Sequence, residues 1–80
     1  LWQGGDLVAA RRAYERAIEL DPNYALAYLN VGRLYLKEGR PELAERAFRT
    51  VLLLEPDSSS ARRGLETALG MQQQGAPTGH

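Results

Sequence analysis

Apolar and small residues recur along this chain at the spacing of a helix, in separate runs divided by Gly and Pro. Between Ala25 and Ser58, Tyr28, Val31, Gly32 and Tyr35 stand at steps of three, one and three. Ala44, Ala47, Phe48 and Val51 repeat the same steps. Each set falls on one stripe of a 3.6-residue helix. Glu38-Gly39-Arg40-Pro41 divides the two halves, and Glu55-Pro56-Asp57 closes the unit. The pattern predicts helices over 24–38 and 41–54. Gly39 suits the left-handed residue that ends a helix. Pro41 suits a first helical turn, where its missing N–H costs nothing. Gly32 in mid-helix costs about 1 kcal/mol against Ala.

The same pattern extends to both sides. Shifted by 34 residues, Gly5, Ala10, Arg12, Ala13, Leu20 and Pro22 fall on Gly39, Ala44, Arg46, Ala47, Leu54 and Pro56. Residues 1–24 therefore read as the tail of one helix, ended by Gly5, and a complete helix over 7–20. Asp6 is its expected N-cap, and Ala10, Ala13, Tyr14 and Ala17 form its inward stripe. Asn23 is the expected cap of the next helix. Downstream, Asp57 and Ser58 offer caps for a helix over 59–73 with Ala61, Leu65, Ala68 and Leu69 on one stripe. Here Arg62 stands in the place of Tyr28, Gly64 in that of Asn30 and Glu66 in that of Gly32. No close-packed partner helix is expected after it, as suits a terminal helix that is polar on its outer face. Residues 74–80 offer nothing to bury and are expected to be a disordered tail. Arg11–Glu15, Glu42–Arg46 and Glu45–Arg49 are spaced as i,i+4 ion pairs.

The central unit resembles the tetratricopeptide repeat. That family's pattern is Trp-x2-Leu-Gly-x2-Tyr, then Ala-x3-Phe, then Pro. This chain has Tyr28-x2-Val31-Gly32-x2-Tyr35, then Ala44-x3-Phe48, then Pro56. The departures are Tyr for Trp and Val for Leu. The resemblance implies an all-α fold, a right-handed α-solenoid of antiparallel helix pairs with about two and a half repeats. Residues 1–24 would be a partial repeat, 25–58 a complete one and 59–73 a capping helix, together one domain over 1–73.

Composition narrows the function further. Ten basic residues balance ten acidic ones in a chain of 80. A balanced chain has little surplus field for duplex phosphates, so no nucleic-acid partner is expected. The absence of Cys removes disulfides, thiolate metal sites and cysteine nucleophiles. His80 is the only histidine and stands near the chain end, so neither a His-based triad nor a His-rich metal site is available. The carboxylates mostly accompany arginines, and no Gly-x-x-x-x-Gly-Lys row exists. No enzyme activity and no cofactor are expected. The longest apolar run, Val51-Leu52-Leu53-Leu54, is far short of a membrane span. No compartment follows, with the cytoplasm slightly favoured. The start at Leu1 rather than Met suggests a fragment of a longer protein.

What remains is a surface. In the family resembled, the first helix of each pair lines an inner groove. On this chain the matching positions are Leu26, Leu29, Asn30, Arg33, Leu36 and Lys37, with Trp2 and Gln3 before them. Ser60, Arg63, Gly64, Thr67, Gly70 and Met71 follow in the last helix. One reading has Leu29 and Leu36 anchor a peptide or partner helix while Arg33, Lys37 and Arg63 hold its acidic groups. The other has the leucines pack on adjacent helices and the cations serve only solubility. A carboxylate clamp of the kind some family members use is not expected: Asn30 matches it, but Ser60 and Gly64 do not. The alternative function is self-association through open solenoid ends, by stacking or helix exchange between copies. Leu53, apolar where Glu19 stands one repeat earlier, is a further exposed candidate.

Overall fold

The structure, a computed structural model, describes residues 4–75, with side chains over 7–73. Four helices follow one another: α1 (Gly4–Leu20), α2 (Ala25–Lys37), α3 (Pro41–Leu54) and α4 (Ser59–Gly75). The described residues form no strand. Three short connections turn the chain back each time, so that neighbours in sequence pack as neighbours in space.

The helix ends follow from local chemistry. After α2, Gly39 takes φ +76°, a conformation that costs a residue without Cβ nothing. The Arg40 N–H then donates to the Tyr35 carbonyl at 2.8 Å and the Gly39 N–H to that of Leu36 at 3.1 Å. These are the two bonds of a Schellman ending. Pro41 opens α3 without a side-chain cap. Ser58 caps α4, its Oγ accepting the Ala61 N–H at 3.2 Å.

Four expectations need correction. Helix α1 begins at Gly4, so Gly5 lies inside it and ends no earlier helix. Two glycines weaken a helix by about 1 kcal/mol each without forbidding it, and the helix-forming run after them carries the helix back through them. Asp6 consequently falls in the first turn and is not the N-cap. Asn23 does not cap α2 either. The helix starts at Ala25, its capping residue is Tyr24, and no side chain caps it. Instead the Asn23 N–H donates to Asp21 Oδ1 at 3.2 Å, forming the turn before the helix. At the far end, α4 continues to Gly75, two residues into the expected tail. Residues 76–80 and 1–3 lie outside the described residues, and Trp2 and Gln3 with them.

The core is built around α3. Ala44, Ala47, Phe48 and Val51, the stripe expected from spacing, are all buried. Ala25, Ala61 and Ala68 form one cluster with Ala44, Phe48 and Val51, and Tyr28, Leu29, Tyr35, Leu36 and Leu65 pack on its edge. Helix α3 lies against α2 on one side and α4 on the other, whereas α1 lies against α2 alone. The consequence shows at equivalent positions. Ala10, Tyr14 and Ala17 in α1 are only half-buried, and Ala13 is exposed.

Candidate functional site

Helix α2 packs between α1 and α3, with Ala27 and Leu34 buried and Gly32 close against the Phe48 ring of α3, and this sets which residues it leaves outside. Leu26 is 53% exposed, and Arg33 and Lys37 are exposed. Leu29, Asn30 and Leu36 are half-buried, and the two leucines lean on the core cluster. Each leucine thus has one side packed and one side open. Helix α4 touches α2 directly. Its Ser60, Arg63 and Thr67 are exposed, and Gly70 and Met71 are half-buried. Helix α2 contains no acidic residue. The acidic residues belong to α1, α3, the turns and Glu66 of α4.

Gly64 does not belong with the outward residues. A Cβ built on it would collide with Cε1 and Cζ of Phe48, so its open side faces α3. With Ala61 and Ala68 it forms a small-residue stripe that lets α4 approach the ring closely.

The polar contacts were only partly foreseen. Arg11–Glu15 and Glu45–Arg49 form at 3.2 and 2.8 Å. Glu42 and Arg46 form no ion pair among the described residues. The bonds that join helices are different ones. Arg11 Nε donates to Glu38 Oε2 at 2.9 Å, tying α1 to the end of α2. Tyr35 Oη donates to Glu15 Oε2 at 3.1 Å, and the Arg11 guanidinium lies 5.7 Å from the centre of the Tyr35 ring. Gln72 Nε2 donates to Glu45 Oε1 at 2.8 Å, tying α4 to α3. Arg11 and Glu38 stand 27 residues apart, as do Glu45 and Gln72. The 34-residue shift carries the first pair onto the second, so one position pair links successive helices with the acid on opposite sides. That coincidence of spacings was available in the sequence.

These contacts shift proton affinities. Donation from Gln72, then from Arg49, holds the Glu45 carboxyl below its ordinary value. Burial, and then the bond to Glu15, raises the Tyr35 phenol. The bond to Glu38 raises the already high Arg11.

No cluster of acidic or histidine side chains able to hold a metal occurs among the described residues. No helix there is long and apolar enough to cross a membrane. On α3, Arg49, Leu52 and Leu53 line an open concavity of about 330 Å³, with Leu53 83% exposed.

A family model described as the tetratricopeptide repeat matches residues 1–69. The chain belongs to the tetratricopeptide repeat family. It is 35% identical over 65 residues to Protein FlbA of Caulobacter vibrioides, covering 81% of this chain and 11% of that protein. It is 41% identical over 49 residues to the tetratricopeptide repeat domain-containing protein PYG7, chloroplastic, of Arabidopsis thaliana, covering 61% of this chain and 16% of that one. The chain therefore spans only a small part of either relative. Tetratricopeptide repeats generally mediate protein–protein interaction, and the all-helical architecture found here is that of the family.

Proposed function

We propose that this chain is a non-catalytic module that binds a peptide or partner helix in a concave groove lined by α2 and α4. Leu26, Leu29, Asn30, Arg33, Leu36, Lys37 and Arg63 are the residues assigned to it. One observation carries the reading. The side of α2 left between its two packing faces presents Leu26, Arg33 and Lys37, in a helix with no acidic residue. A chain of zero net charge thereby gathers cationic and apolar side chains on one strip of α2, which suits a partner with apolar anchors and acidic groups. Exposed Leu29 and Leu36 edges would supply the anchoring contacts.

Pull-down from the native organism, comparing the wild type with Arg33→Glu/Lys37→Glu, tests the proposal. Circular dichroism should show both folded alike. Proteins recovered by the wild type and lost with the variant support the groove. Recovery of the same proteins by both rejects it.

A further inference from the structure

Helix α3 has an outer face that neither the core nor the proposed groove uses. Glu42, Arg46, Arg49 and Leu53 fall within about 60° of one another on a helix that turns about 100° per residue, and all four are exposed. A following helix pair leaves such a face open. Helix α1 is followed by α2 and α3, yet at the equivalent positions Arg12 and Glu19 are exposed and the Glu15 side chain is 40% exposed. Those three residues are polar, whereas α3 carries Leu53 in the place of Glu19. Leu53 is 83% exposed and lines, with Leu52 and Arg49, the concavity of about 330 Å³. Charge is divided about this apolar centre. On one side stand Arg46, which forms no ion pair among the described residues, and Arg49, which gives its Nε to Glu45 and is still 58% exposed. On the other stand Glu55 and Asp57, both exposed, with no ion pair among the described residues and no base between Arg49 and Arg62.

We infer that this face pairs with the same face of a second copy of the chain, α3 against α3 in antiparallel sense about a twofold axis near Leu53. A strip with cations on one side of an apolar centre and anions on the other is complementary to itself turned end for end, as a twofold interface requires. Leu53 of each copy enters the concavity of the other, and Arg46 and Arg49 face Glu55 and Asp57 of the second copy. Glu45 does not oppose this, since it is held by Arg49 and Gln72 within its own chain. The strip is only about 17 Å long and one helix wide. That is less surface than the roughly 800 Å² each partner buries in a standard interface. The pair is therefore weak, and dilute chain is monomeric. It uses none of the residues assigned to the groove.

Sedimentation of the chain from micromolar to millimolar concentration tests this. The weight-average mass should climb from that of one chain towards that of two and stop there, because a twofold pair closes. Leu53→Glu, at an exposed position, should hold the mass at one chain with unchanged helicity. Arg49→Asp and Asp57→Arg should each weaken pairing about tenfold or more in Kd by setting like charges opposite one another. The two together should restore it. A wild type that stays monomeric at millimolar concentration overturns the inference and leaves the face to another partner or to water. So does a rise in mass that survives Leu53→Glu, or a folded charge-swapped double variant that pairs no better than either single one.

Discussion

The ring of Phe48 is held between two backbones, that of Gly32 in α2 and that of Gly64 in α4. Phe48 is fully buried and is the largest side chain so placed among the described residues. One aromatic therefore joins three helices, and each glycine lets its helix backbone approach the ring more closely than a side chain would allow. Gly32→Ala gains about 1 kcal/mol of helix propensity but pushes a methyl against the ring, an overpacking cost of about 1–3 kcal/mol. Both Gly32→Ala and Gly64→Ala should lower the thermal midpoint, Gly64→Ala by more. Phe48→Leu should lessen the cost of either, so a double-mutant cycle should show coupling.

Removing the ring altogether is a harsher test. Phe→Ala in a core costs about 3–5 kcal/mol, and a core of this size supplies only about 3–5 kcal/mol. Phe48→Ala should leave the isolated chain largely unfolded by circular dichroism, while Phe48→Leu should leave a weakened helical fold.

Arg11 binds α1 to the rest. Its side chain is 17% exposed and that of Glu38 is 11% exposed. A hydrogen bond to a charged partner contributes about 1.5–3 kcal/mol, and truncation also leaves Glu38 without its donor from α1. In Arg11→Ala, amide hydrogen exchange should quicken first in α1, with α3 changed least. Uniform loss of protection across all helices would contradict this order.

Acid should loosen the α3–α4 contact. The folded Glu45 carboxyl titrates below its ordinary value because Gln72 and Arg49 donate to it. A group depressed in the folded state stabilises fully above its unfolded value, and that contribution is lost as pH falls through the folded one. Protection of α4 amides should decline over that acid range, and Glu45→Gln should flatten the decline.

Leu53 points to solvent where the preceding repeat has Glu19. Leu53→Glu should leave the unfolding free energy within about 0.5 kcal/mol of the wild type, read by denaturant titration. A larger loss would mean that the concavity with Arg49 and Leu52 is occupied in the folded protein.

Periodicity and turn chemistry determined much of this protein. The stripe Ala44, Ala47, Phe48 and Val51 is a helical-spacing signal, and all four residues are buried. Gly39 and Pro41 act locally, and so α2 ends and α3 begins where they predict. Such features are legible because each depends on neighbours within a few residues. The family pattern adds the pairing of helices, since it records which small residues let backbones approach.

Only the tertiary structure decided the rest. Gly4 and Gly5 stay helical, because a propensity cost weakens a helix without fixing its boundary. Gly64, grouped by its repeat position with outward residues, turns to Phe48 because α4 approaches α3 along its small-residue stripe. Arg11 meets Glu38, and Glu45 meets Gln72, across gaps no local rule spans. Spacing along one helix says which residues share a face. Which neighbour that face meets, and how closely, depends on how the helices stack.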